Sequence, residues 1–131
     1  MSNVNVVITG MGGFIGSHLQ DSCLLRGWEV YGTTRSDSIA STVELLERVR
    51  PQFLFHAAAE LGDNSKMFET NVQLTTAILD YCRRDANSSR QLRRAVIFGS
   101  SSEYGRKLAP MAEDETCFVS NSASASLFRT W

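Results

Sequence analysis

A β-branched run, Asn5-Val6-Val7-Ile8-Thr9, ends at a glycine, and two further glycines follow it at fixed spacing: Gly10, Gly13 and Gly16. Apolar residues then recur every four positions at Ile15, Leu19 and Cys23, which is a helical period. A strand that passes straight into a helix through such glycines has few options. The first glycine permits a tight turn, the second lets backbone approach a ligand, and the third lets the helix lie close on the strand. The N–H groups at the helix start then face whatever sits over the turn, and the peptide dipoles favour an anion there. A pyrophosphate suits that position. The strand-to-helix setting separates the pattern from a glycine-rich turn that binds nothing.

The rest of the chain repeats the alternation. The first strand, residues 5–9, has the continuous apolar character of a strand buried on both faces of a parallel sheet. A helix over 14–26 is closed by Gly27. Residues 29–34 are a second strand. Ser41 and Glu44 read as a capping-box pair for a helix that buries Leu45, Leu46 and Val49. That helix has to stop at Arg50, because Pro51 disfavours a helical conformation in the residue before it. A third strand over 53–58 leads to a longer helix over about 65–84, with Met67, Asn71, Leu74, Ile78 and Tyr81 on one face. Residues 95–100 are a fourth strand. Strands and helices in strict alternation predict an α/β fold, a three-layer doubly wound parallel sheet with right-handed crossovers.

Composition bounds the partners. The chain has 131 residues and a net charge of −1, with 21% charged residues of mixed sign. No field gathers nucleic acid or an anionic membrane, and the arginines at 83, 84, 90, 93 and 94 read as a solvated helix end and loop. Cys23, Cys82 and Cys117 are too far apart for a CxxC pair or a zinc site, so no metal and three reduced thiols are expected. There is no signal-peptide pattern, and no apolar run approaches the roughly 18 residues of a membrane span. A soluble cytoplasmic protein is the expectation.

A dinucleotide site of this kind usually carries an acidic residue at the end of the second strand, for the adenine ribose hydroxyls. Thr34 stands there, 24 residues after Gly10, and Arg35 follows it. A carboxylate at that place would repel a 2′-phosphate, whereas a guanidinium pairs with one. Thr34 and Arg35 therefore point to NADP, with NAD as the other candidate.

The segment Thr9-Gly10-Met11-Gly12-Gly13-Phe14-Ile15-Gly16-Ser17-His18-Leu19 resembles the opening of the extended short-chain dehydrogenase/reductases, in particular the nucleotide-sugar epimerases, dehydratases and reductases. The stretch from Val30 to Arg35, that from Pro51 to Ala59, the pair Asn71-Val72 and the segment Ser100-Ser101-Ser102-Glu103-Tyr104-Gly105 resemble the same family in the same order. The resemblance runs over about residues 4–118. It implies a Rossmann-type NAD(P)-binding domain over 1–118, with a Ser/Ala-rich tail over 119–131 outside it.

The resemblance also implies roles. Gly10, Gly13, Phe14, Ile15 and Gly16 would hold the pyrophosphate, and Arg35 the 2′-phosphate. Ala57 and Ala58 correspond to the small residues beside the adenosine and ribose. Asn71 ties its helix to a neighbouring strand. His56 reads as a packing residue and His18 as an exposed one. The catalytic hydroxyl of the family lies just beyond the fourth strand: counting from the strand gives Ser101, and counting back from Tyr104 gives Ser100. The family's YxxxK pair is not found, because no Tyr follows Tyr104 and no Lys follows Lys107; with Val119-Ser120 in register, Ser122 and Ser126 take the corresponding places. The expectation is thus the dinucleotide-binding part of an enzyme acting on a nucleotide sugar by hydride transfer, truncated before the substrate-binding lobe and open to forming a homodimer. The alternatives are a catalytically incomplete cofactor-binding module and a truncated product.

Overall fold

The computed structural model describes residues 3–100 together with Pro110 and Ala112. Strand β1 (Asn5–Thr9) leads to helix α1 (Phe14–Leu25), strand β2 (Glu29–Thr33), helix α2 (Ile39–Val49) and strand β3 (Phe53–His56). A short helix α3 (Asn64–Met67) then runs through a π-helical stretch (Phe68–Gln73) into α4 (Leu74–Asn87), and β4 (Arg94–Ile97) follows. All strand pairs are parallel, in the order β2-β1-β3-β4.

That order has a physical reading. From β1 the chain moves to one side to make β2, then crosses back to place β3 on the other side of β1. The crevice at the carboxyl ends of β1 and β3 is the switch point, where open α/β sheets bind ligands.

Strand β1 is central, and its side chains alternate between two cores. Val6 and Ile8 pack with Cys23 of α1, while Val7 packs with Leu46 of α2, Leu54 of β3 and Ile78 and Tyr81 of α4. Both faces of β1 are therefore buried, which is what its unbroken apolar run requires. Among the described residues no helix is long and apolar enough to cross a membrane.

The helix ends follow local chemistry. Helix α1 closes with Gly27 at φ +71, while the Gly27 N–H bonds Leu24 O and the Trp28 N–H bonds Cys23 O. This double closure needs a left-handed residue, and glycine takes that conformation at little cost. Helix α2 starts a turn earlier than the Ser41–Glu44 pair suggests. Its cap is Ser38, whose hydroxyl accepts the Ser41 N–H at 3.1 Å, and Ser41 Oγ in turn bonds Ser38 O. Arg50, in a left-handed conformation, ends α2 just before Pro51, as the proline dictates. The segment read as one helix over 65–84 is helical throughout but contains the π-helical stretch, and it extends to Asn87. The strands are shorter than their sequence patterns: β2 stops at Thr33 and β3 at His56. Ala57 continues the ladder for one rung, donating to Thr9 O at 3.2 Å.

Candidate dinucleotide-binding site

The glycine turn is fixed by backbone contact. Gly10 has φ +69, and a Cβ on it would come within 2.8 Å of the Ala58 backbone. A Cβ on Gly16 would overlap the carbonyl of Gly10. Gly16 is what lets α1 seat itself on the end of β1. Gly13 caps α1 with extended backbone and no side-chain hydrogen bond, and the first turn of the helix holds no acidic residue. A Cβ at Gly12 would meet nothing within 4 Å. The mouth of the turn is thus open and rimmed by backbone, with the positive end of α1 aimed over it.

A groove of about 540 Å³ runs from this turn along the carboxyl ends of the sheet. It brings together six of the residues singled out in the sequence: Gly10, Gly13, Thr34, Arg35, Ala57 and Ala58. Gly16 supports the groove from below. Phe14 and Ile15 do not line it; their side chains are exposed on α1. Asn71 does not line it either. It is buried on the π-helical stretch, where its Oδ1 accepts the Glu60 N–H at 2.9 Å and its Nδ2 donates to Glu60 O at 2.9 Å. Asn71 therefore clamps the loop after β3 at both ends of one peptide residue, and acts on the groove through that loop. Ser101 and the 119–131 stretch lie outside the described residues.

Beneath the groove floor is a polar chain that sequence reading missed. Thr9 Oγ1 lies 2.6 Å from His56 Nδ1, and His56 Nε2 lies 2.8 Å from Thr75 Oγ1 of α4. The Ala58 N–H donates to Thr9 Oγ1 at 3.3 Å. Burial lowers the His56 pKa to about 4, so the ring is neutral at ordinary pH. A neutral imidazole offers one donor and one acceptor, and the two threonine hydroxyls satisfy both. His56 is then a tether between β1, β3 and α4. It does not line the groove, which agrees with its reading as a packing residue.

Three charged groups in the groove were also missed. Asp37 Oδ2 accepts the Thr34 N–H at 2.9 Å, and the Asp37 N–H returns a bond to Thr34 O at 3.1 Å. Glu60 and Lys66 also line the groove. The Gly62 and Asp63 N–H groups bond the Glu60 carboxylate and hold its pKa below the usual range, and the field of Arg35 acts in the same direction. The sequence does hold an acidic residue near the end of β2, but three positions beyond Thr34, where only the turn over 34–37 reveals its direction.

Comparison with known proteins agrees with this geometry. Residues 6–125 match the model of the NAD dependent epimerase/dehydratase family. A UDP-N-acetyl-alpha-D-glucosaminuronate decarboxylase of Bacillus cytotoxicus is 31% identical over 130 positions, covering 83% of this chain and 40% of its own. Among solved structures, MoeE5 in complex with UDP-glucose and NAD is 26% identical with a TM-score of 0.71, over 87% of this chain and 42% of that one. The Bordetella bronchiseptica enzyme WbmH in complex with NAD+ is 24% identical with a TM-score of 0.81, over 96% of this chain and 49% of that one. The likeness to WbmH speaks for the fold alone, a Rossmann-type doubly wound sheet. The chain spans 40% of the length of that decarboxylase. The glycine turn, the parallel sheet that carries it and the match over 6–125 together settle the family: the chain belongs to the NAD-dependent epimerases and dehydratases.

Proposed function

We propose that residues 1–118 form the dinucleotide-binding domain of an enzyme that acts on a nucleotide-linked sugar, with NAD(P) held in the groove between Gly10 and Arg35. The observation that carries this reading is the uncapped start of α1 over a glycine turn too close-packed for side chains at Gly10 and Gly16. The residues fit the cofactor. Backbone N–H groups at the start of α1 would bind the pyrophosphate, Ala57 and Ala58 would leave room for adenosine and ribose, and Arg35, which lines the groove, would pair with a 2′-phosphate. The nicotinamide, when bound, supplies a hydride acceptor and donor at C4. The small side chains along the groove keep its floor close to backbone, and Asn71 keeps the Ala57–Glu60 loop in place.

Ser101, just past β4, is the proposed catalytic hydroxyl, bonding a sugar oxygen. The relatives support the substrate class, since one acts on a UDP-linked sugar and another binds UDP-glucose with NAD. A cofactor-binding module without catalysis is the second reading, favoured by the serines that stand where the family's Tyr and Lys are expected.

Arg35 tips the site toward NADP(H). One exposed guanidinium–phosphate pairing is worth about 1–2 kcal/mol. Calorimetric titration with NADP and NAD is the test, repeated on Arg35→Ala. The expected result is tighter NADP binding that the variant loses. Equal affinities would overturn the preference, and no binding of either nucleotide would overturn the site.

A further inference from the structure

We propose that the domain carries a second binding site, for the phosphate group of a small molecule, in a cleft between the carboxyl ends of α2 and α4. This end of the sheet is opposite the dinucleotide groove, because each helix runs from the carboxyl end of one strand back to the amino end of the next. The cleft has a volume of about 620 Å³ and shares no lining residue with the groove. Its walls hold Glu47 and Arg50 from the end of α2, and Tyr81, Arg83, Arg84 and Asp85 from α4.

Tyr81 is the residue that points to a ligand. It is 3% exposed, and it packs with Val7, Leu46, Leu54 and Ile78. Its hydroxyl is buried too and meets no hydrogen-bond partner among the described residues, an arrangement that folded proteins seldom keep without a reason. Burial, then the charges of Asp85 and Glu47, push the phenol pKa up to about 12, while Arg50 acts the other way. The hydroxyl end therefore lies among the charged residues of the cleft, and at ordinary pH it is a protonated donor.

The acids of the cleft are already engaged. Asp85 Oδ1 accepts the Ser89 hydroxyl at 2.8 Å, its Oδ2 accepts the Leu92 N–H at 3.0 Å, and Glu47 pairs with Arg84. The cations are less fully matched. Arg83 pairs with the exposed Asp80 at 3.2 Å, and Arg50 has no ion pair among the described residues. Arginines at helix carboxyl ends also offset the negative end of the peptide dipoles, but that role does not account for a phenol buried without an acceptor. One donor and one cation are left, and both are complementary to an oxyanion. A phosphate brings more charge and more acceptor oxygens than a carboxylate, so it can engage the phenol and Arg50 together.

The test is a titration of the full chain with inorganic phosphate at constant ionic strength, followed by backbone amide resonances. Ser88 and Ser89 report the cleft, and Gly12 and Gly13 report the groove, where phosphate can bind independently. Tyr81→Phe removes the hydroxyl alone and Arg50→Gln the charge alone. Each should weaken binding at the cleft about tenfold and leave the response of the groove as it was. Tyr81→Phe should also keep the full stability of the unaltered chain in urea unfolding, because no hydrogen bond within the chain is lost. A tyrosine that merely packs would not combine intact stability with weaker phosphate binding. Cleft signals unmoved at about 10 mM phosphate, or moved alike in the unaltered chain and both variants, would overturn the site. So would a clear loss of stability in Tyr81→Phe, which would show a partner for the hydroxyl within the chain. Acetate binding as tightly as phosphate would overturn the ligand class.

Discussion

Acidification from neutral pH should destabilise this fold first through His56. The side chain is 3% exposed and sits between the hydroxyls of Thr9 and Thr75. Burial is the cause that lowers its pKa from 6.5 to about 4. The unfolded chain keeps the ordinary value. Between those two values the unfolded state binds a proton and the folded state does not, so stability falls as pH falls from 6.5 toward 4 and the loss is complete below that. At about 1.4 kcal/mol per pH unit, the window is worth roughly 3 kcal/mol. A small domain has about 5–15 kcal/mol in total, so the effect is large.

Urea unfolding from about pH 7.5 to about pH 4.5 measures it, on the unaltered chain and on His56→Gln. Glutamine keeps a donor and an acceptor and does not titrate. The variant should be less stable at neutral pH, and the gap should narrow as the pH drops. Glu60 and Asp63, whose pKa values are held down by hydrogen bonds from backbone N–H groups and, for Asp63, Ser65, also favour the folded state. Their contribution is present above the unfolded carboxylate pKa and is lost as pH falls below it. They therefore act at the acid end of the range and equally in both proteins. Parallel stability curves through the His56 window would refute the reasoning.

Gly16→Ala should cost about 3 kcal/mol or more, because its Cβ would overlap the Gly10 carbonyl and backbone lies on both sides of the contact. A thermal transition unchanged from the unaltered chain would contradict this. Asn71→Ala removes two hydrogen bonds to Glu60 and leaves that residue's N–H and carbonyl without their protein partner. It should lower stability by about 2 kcal/mol and weaken cofactor binding through the Ala57–Glu60 loop; a loss too small to measure by urea unfolding would show that the clamp is dispensable.

What could be read from sequence was local, and what could not was relational. Two of the glycines were legible because each answers a contact within a few residues, Gly16 against the Gly10 carbonyl and Gly27 against Leu24 O, whereas Gly10 answers the distant Ala58 backbone. Pro51 ended α2 for a reason confined to its own ring. The unbroken apolar run of β1 announced two covered faces, which Cys23 on one side and Leu46 and Ile78 on the other supply.

The cap of α2 was misplaced by a turn because Ser38 and Ser41 are both good capping residues. Periodicity could not say which of them has extended backbone. The Thr9–His56–Thr75 chain joins residues 47 and 19 positions apart, so its polar members looked like isolated residues on apolar elements. The resemblance has Asn71 tie its helix to a neighbouring strand; its actual partner is the backbone of Glu60, in the loop after β3, which carries no side-chain signature.

Asp37 is the most instructive omission. The expectation of an acid at the end of β2 counts positions along an extended strand, and it stopped at Thr34. The chain turns there, and three residues of turn bring a carboxylate back onto the Thr34 N–H. Position along the chain and position in the groove part company at that turn. A rule of spacing that holds for a strand says nothing beyond it.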